Sequence, residues 1–298
     1  MSPWSLVTVR RDGEDFLAVR LADGSLVQPP PLKAWTRMTD LLDDWPAAEP
    51  VLRDLDVEAP AAVAGAQVLA PLLYPRKVLC AGVNYRDHIA EMGAQAPDSG
   101  WTPFFFLKPP TTTVIGPYDD VPVGDDVRDG LDWEAELAVV IGRGGRGIGV
   151  DEAMSHVAGY CVSNDLTARA RHRRTNVPAP AFAYDWFASK ARDASLPLGP
   201  GITPAWMVED PQTLRVQLWV NDEPQQDGNT RDMICDIPTL ISAASAGVTL
   251  EPGDVIPTGT PAGVGVTRGL TLKPGDVVRT RIEGLGELSN RIVARTSP

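Results

Sequence analysis

Proline and glycine, 28 and 27 of them in 298 residues, divide this chain into many short apolar runs. Proline lacks the amide proton that helix and sheet ladders need, and glycine raises the entropic cost of ordering either, so such runs favour short strands over a helical bundle. The expected class is therefore α+β and strand-rich, with few, short helices. The opening residues agree: SLVTVRR and FLAVRLADGSLVQ alternate apolar and polar positions around the turn DGED, and Asp-Gly is hairpin chemistry. MTDLLDDW reads as a short helix, and a Pro- and Ala-rich stretch follows it up to Arg76. The boundary is placed near residue 75, separating an N-terminal part and linker (1–75) from a larger domain (76–298). Two similar segments, LEPGDVIPTG and LKPGDVVRTR, read either as adjacent strands or as Pro-Gly turns that simply recur before strands.

A hydrophobic content of 43% is enough for a full core. The net charge of -12 argues against a phosphate-backbone partner, so no nucleic acid is expected. It leaves room for a small anionic substrate, provided that its site is locally positive. The N-terminus has no basic start followed by an apolar segment, and no apolar run is long enough to span a bilayer. A soluble, cytoplasmic protein with no membrane partner is expected. Cys80, Cys161 and Cys235 are odd in number, scattered and apolar in setting, which predicts buried reduced thiols.

The segment LDWEAELAVVIG has the β-branched run and glycine stop of a strand, in which residues two apart share a face. Glu134 and Glu136 then point one way, while Ala135, Leu137 and Val139 point the other. Taken alone, an exposed polar face is the simpler account of the pair. On a buried face two carboxylates repel unless protons or a cation neutralise them. Asp165, where HVAGYCVSND runs out of its apolar stretch, supplies a third carboxylate at a strand end or helix cap. Three oxygen donors without spaced Cys or His indicate Mg²⁺, or else Mn²⁺ or Ca²⁺, rather than zinc.

In VLCAGVNYRDHIAEMG a buried strand turns into a short helix, where His88 and Glu91 lie three apart on one face. A carboxylate beside an imidazole fixes its tautomer and raises its basicity, the arrangement of a general base; a surface i,i+3 pair is the plainer alternative. His156 is expected on a surface helix after Asp151. His172 sits in the basic run ARARHRR.

Taken together, VLCAGVNYRDHIAEMG, FFFLKPPTTTVIGP, LDWEAELAVVIGR, GYCVSNDLTAR, FASKARDASLPLGP, NDEPQQDGNTRDMICDIPTLIS and LEPGDVIPTGTPAGVG resemble, in order, the fumarylacetoacetate hydrolase family and its acylpyruvate hydrolase-like branch. The resemblance runs from about Lys77 to the C-terminus. It implies a mixed β-roll catalytic domain, a small N-terminal α/β domain and a homodimer. It places the family's metal carboxylates on Glu134, Glu136 and Asp165 and its catalytic dyad on His88 and Glu91, with Lys190 as a lysine near metal and substrate. Arg169 and Thr260 match positions that help bind the substrate's polar end, and Tyr85 and Lys108 are counted with them as substrate-binding candidates. Where the family often has Asp and Gln after its Thr-Ala-Arg, this chain has Ala170 and His172, and RRTNVPAPAFAYDW before Lys190 is longer and more Pro-rich than usual.

The function these readings imply is metal-dependent hydrolysis of a C–C bond in an acylpyruvate, a small keto acid, with His88 and Glu91 activating water and an enolate stabilised by metal and Lys190. Oxaloacetate decarboxylation or tautomerisation, and isomerisation or hydration of 2-hydroxydienoates, draw on the same enolate chemistry. A binding protein of this fold that has lost catalysis is a remoter alternative. GRGGRG, residues 142–147, matches a dinucleotide fingerprint literally, but it follows a strand bearing two carboxylates and no helix opens within it, so a hairpin turn is the better account. The segment DHIAEMGAQAPDSGWTPFFF reads as a lid or as an ordinary surface loop.

Overall fold

The computed structural model describes residues 3–58, 60–96, 100–124 and 130–295. The chain opens with β1 (Trp4–Arg11), β2 (Glu14–Leu21) and β3 (Leu26–Val27), then α1 (Met38–Asp43), α2 (Trp45–Arg53) and β4 (Gln67–Val68). The β1–β2 hairpin turns at Asp12 and Gly13, both left-handed (φ 54° and 83°), which gives the two-residue turn whose twist matches that of the strands. The segment expected to end near residue 75 does not form a layer of its own: β1 pairs antiparallel with a later strand, Leu6 opposite Ile202.

Next come β5 (Leu79–Gly82), α3 (Arg86–Glu91), β6 (Phe104–Leu107), α4 (Pro110–Thr113), β7 (Val114–Ile115), β8 (Val121–Val123), β9 (Leu131–Asp132) and β10 (Ala135–Ile141). They are followed by β11 (Val157–Asn164), β12 (Thr167–Ala168), α5 (Trp186–Lys190), β13 (Leu196–Pro204), β14 (Arg215–Val220) and β15 (Glu223–Asn229). The chain finishes with α6 (Ile237–Gly247), β16 (Val255–Pro257), β17 (Val277–Ile282) and β18 (Gly286–Ala294). Helices are few and short, as the breaker spacing predicts.

One nine-stranded sheet runs β16-β10-β11-β13-β1-β2-β3, with β4 on β1 and β7 on β13; a second, of five strands, runs β15-β14-β17-β18-β8. The large sheet is covered on both faces. Leu137, Val139 and Ile141 of β10 join a core with Val216, Leu218, Val278 and Leu288 of the five-stranded sheet. Ala138 and Val140, on the opposite face, join a second core with Leu41, Leu42, Trp45 and Leu52 of α1 and α2 and with Cys80 and Phe106. Each such aliphatic side chain, fully buried, contributes roughly 1.5–3 kcal/mol. Period-two alternation along β10 is therefore real, but its carboxylate face is buried as well.

The two Pro-Gly-Asp segments are not neighbours. β16 pairs with β10 in the nine-stranded sheet, whereas β17 lies between β14 and β18 in the five-stranded one. What they share is a turn that launches a strand, and this sets no partner. Residues 142–147 belong to the long connection between antiparallel β10 and β11, where Gly145 bridges Leu250, and no helix starts there. All three cysteines are buried and free. Among the described residues no helix is long and apolar enough to cross a membrane. Of the segment read as a lid or loop, Pro97, Asp98 and Ser99 lie outside the described residues.

Candidate active site

Antiparallel register brings the three carboxylates together. Ala135 faces Asn164 and Glu136 faces Ser163, so Glu134 and Asp165, the next residue on each strand, extend the ladder, and the Asp165 amide donates to the Glu134 carbonyl at 2.9 Å. One carboxylate oxygen from each of Glu134, Glu136 and Asp165 lies within 4.8 Å of the others, and all three residues are buried. A slip of one residue in this pairing would send the glutamates to the other core.

The loop after β16 closes over them. The Gly259 amide donates to Glu136 Oε2 at 3.0 Å. Gly259 has φ +93°, and a Cβ there would stand 2.9 Å from the Cβ of Asn84, so the close approach requires glycine. Asn84 ties the turn after β5 to this loop by donating to the carbonyls of Cys235 (3.0 Å) and Thr258 (2.9 Å) and accepting from the Cys235 amide (2.8 Å). Beside it Val83, on the cleft wall, holds φ 57°, a conformation that costs a β-branched residue about 1–3 kcal/mol.

Cations are interleaved with these acids. Lys190 Nζ lies 2.7 Å from both Glu134 Oε2 and Asp165 Oδ2. Lys108 Nζ donates to Asp165 Oδ1 and, at 3.1 Å, to the Leu166 carbonyl. Arg169 spans Asp132 (2.8 Å) and Glu134 (2.6 Å), and Asp132 is fixed in turn by the amides of Gly265 (2.7 Å) and Val266 (3.1 Å). Burial opposes the charged form of Lys190, but Asp165 and Glu134 outweigh it and raise its pKa. Burial likewise disfavours ionised Glu134, yet Lys190 and Arg169 hold its pKa below the ordinary carboxylate value. Among the described residues Glu136 forms no ion pair. Burial first, then the charges of Asp165 and Glu134, push its carboxyl well up, and the nearby Lys190 charge and the Gly259 amide only partly offset them. A buried carboxylate supplied with one amide and two acidic neighbours is one short of a cation, and the all-oxygen donor set suits a hard divalent ion.

On the same cleft His88, itself buried, holds Nδ1 2.6 Å from Glu91 Oε1. The other Glu91 oxygen accepts from the Gly263 amide (2.9 Å) and the Thr267 hydroxyl (3.2 Å). Burial raises the pKa of Glu91, but these donors, His88 foremost, bring it below its ordinary value. An ionised Glu91 makes Nδ1 the donor and leaves Nε2 as the lone pair.

His88, Glu91, Glu134, Glu136, Arg169, Lys190 and Thr260 line one cleft of about 690 Å³, with Asp165 buried against its floor. Thr260 donates to the Ala135 carbonyl at 2.9 Å and accepts from Gln226 Nε2 at 2.8 Å. Tyr85 and Lys108 are buried behind the wall rather than on it, Lys108 reaching the site through Asp165. His156 ends a short 3-10 turn, not a regular helix, with Nδ1 on the Arg143 carbonyl at 2.7 Å. Sequence reasoning missed two residues. Asp132 stands two before Glu134, and the continuing period of two was the available signal. His172 is on the cleft wall beside Trp186, brought there by a fold-back that local pattern does not announce.

Known proteins resemble this chain along most of its length. The fumarylacetoacetate (FAA) hydrolase C-terminal family profile matches residues 77–293. The oxaloacetate tautomerase YisK of Bacillus subtilis (strain 168) is 42% identical over 226 residues, covering 75% of this chain and 72% of that protein. The fumarylacetoacetate hydrolase of the psychrophile Exiguobacterium antarcticum superposes with a TM-score of 0.82 at 33% identity, covering 98% of this chain and all (100%) of that one. The maleylpyruvate hydrolase of Sphingobium sp. SYK-6, solved with manganese(II) and pyruvate, superposes with a TM-score of 0.72 at 31% identity, covering 98% and 100%.

Proposed function

This chain belongs to the fumarylacetoacetate hydrolase family of enzymes, and we propose that its reaction is the divalent-metal-dependent keto–enol tautomerisation of a small 2-keto acid of the oxaloacetate type. The observation that carries the reading is the meeting, in one cleft, of a buried carboxylate triad short of one cation and a histidine whose lone pair is fixed by Glu91. Similarity to an oxaloacetate tautomerase favours tautomerisation over the acylpyruvate hydrolysis expected from sequence. Hydrolysis is the second reading, favoured by the likeness to a maleylpyruvate hydrolase holding pyruvate.

Glu134, Glu136 and Asp165 would hold Mg²⁺ or Mn²⁺, which supplies Lewis-acid polarisation of a keto carbonyl. Within the chain, His88 Nε2 accepts the proton from the carbon next to that carbonyl; the pair of electrons left behind forms the new C=C bond as the carbonyl π pair moves onto the keto oxygen. The same imidazole, steadied by Glu91, returns the proton to that oxygen to give the enol, and the reverse steps give the ketone. Lys190, kept charged by its two carboxylates, and Arg169 set a positive field beside the developing oxyanion.

The test is to strip the protein with chelator, restore Mg²⁺ or Mn²⁺, and follow the enol of oxaloacetate by ultraviolet absorbance, with an acylpyruvate assayed in parallel. Tautomerisation that returns with the metal supports the reading. Acylpyruvate cleavage without tautomerisation replaces it with the second.

A further inference from the structure

The basic run at 169–174 packs four Arg and one His into six residues of a chain with net charge -12, and the proposed chemistry uses only the first of them. Arg169 turns down to Asp132 and Glu134, and Arg174 faces Asp185 at 3.9 Å. Arg173 is exposed on the cleft lining and has no carboxylate partner among the described residues. The other cations of the cleft are committed, Lys190 and Arg169 to two carboxylates each, and Lys108 behind them to Asp165.

The backbone that carries Arg173 is an ordered arm. Arg173 bridges Tyr184, the Asp185 amide donates to the His172 carbonyl at 2.8 Å, and the Arg174 amide donates to the Ala183 carbonyl at 2.9 Å. His172 anchors it, with Nδ1 3.1 Å from Ser189 Oγ and its ring edge-on to Trp186 at 4.5 Å; Trp186 stacks in turn on Phe106. The cleft thus has a floor whose cations are already paired, an aromatic wall and, among the described lining residues, one guanidinium without a carboxylate, a planar donor fork matched to one.

We infer that the arm of residues 172–185 reads the end of the substrate distal to its keto acid head, with Arg173 receiving a second carboxylate. This rests on the keto acid reading above and adds the group that selects, among small 2-keto acids, those ending on a second carboxylate. An acylpyruvate with a neutral tail would leave Arg173 without a role.

The experiment is calorimetric titration of the Mn²⁺-loaded protein with 2-oxoglutarate and with 2-oxopentanoate, which share a head and differ in ending on a carboxylate or a methyl. The wild type binds 2-oxoglutarate about tenfold more tightly, the lower end of what a charge-assisted hydrogen bond provides, because the guanidinium is exposed. Added salt shrinks this preference. R173A abolishes it by weakening 2-oxoglutarate alone, and R173K restores part of it. Turnover of oxaloacetate by R173A shows a KM raised about tenfold with kcat within about twofold. Equal affinity of the wild type for both acids, or equal weakening of both by R173A and R173K, overturns the inference. A protein that shows the preference but does not tautomerise oxaloacetate overturns the proposed reaction and leaves the arm's role standing; tautomerisation without the preference does the reverse.

Discussion

The floor and the arm of the cleft are built on opposite plans. On the floor Glu134, Glu136 and Asp165 are buried on or at the ends of neighbouring strands of a sheet covered on both faces, with buried Lys190 paired to Glu134 and Asp165 and Lys108, behind them, paired to Asp165. The arm, residues 172–185, is a short fold-back with exposed Arg173, Tyr184 (56% exposed) and, just beyond it, Phe187 (75%). Buried ions are expensive to disturb because each uncompensated charge faces low dielectric, whereas exposed groups are screened and hydrated. The proposed assignment accordingly sets the common chemistry on the floor and substrate choice on the arm.

The widest gap between the two should appear on removing Glu136. E136Q is expected to abolish metal-dependent turnover and the metal's effect on melting, an effect worth about 2.7 kcal/mol in the native protein at one hundred times the metal Kd. Without metal the variant should melt no lower than wild type, because a repelled carboxylate has become neutral. A metal-dependent melting shift retained in E136Q would remove Glu136 from the triad. K190A comes next: leaving Glu134 and Asp165 short of a buried partner should cost about 3–5 kcal/mol in chemical denaturation. A loss below about 1 kcal/mol would show the floor to be no more coupled than a surface.

H88A should slow turnover about 10²- to 10⁴-fold while metal titration is unchanged, which separates the base from the ion. Full activity would dismiss the dyad. A smaller effect belongs to Glu91, whose pKa lies below its ordinary value of 4.5. A depressed carboxylate contributes stability that is complete above that ordinary value and is lost as pH falls through the folded one. E91Q should therefore flatten the acid limb of the melting curve below about pH 4.5 and leave it unchanged near pH 7 relative to its own plateau; an unaltered acid limb would break the assignment. Just beyond the arm, F187S should change stability by no more than about 0.5 kcal/mol. A larger loss would mean that Phe187 is covered in solution.

The same contrast governs what could be read from sequence. Glu134 and Glu136 were legible because a strand's period of two is strict, and His88 with Glu91 because a helix places i and i+3 together. Their burial was not legible: the second core over β10 is supplied by α1 and α2, almost a hundred residues earlier, which no window around Glu136 contains. The clash between LEPGDVIPTG and LKPGDVVRTR makes the same point. Local chemistry launches both strands, while tertiary packing assigns them to different sheets. His172 stood out in sequence only as a departure from the family pattern, because an arm anchored on Ser189, Trp186 and Tyr184 is defined by aromatic contacts that local pattern does not announce.

The bond from the Gly259 amide to Glu136 joins residues 123 apart in sequence, and the Glu91 carboxylate takes its amide from Gly263, 172 residues away. Contacts of such span form late, after the loop entropy of the intervening chain has been overcome. A nascent or partly folded chain can pair β10 with β11 and still lack the closing loop, so metal uptake should trail the bulk of secondary structure in a refolding experiment. The ion's arrival then serves as a clock for the last step of folding.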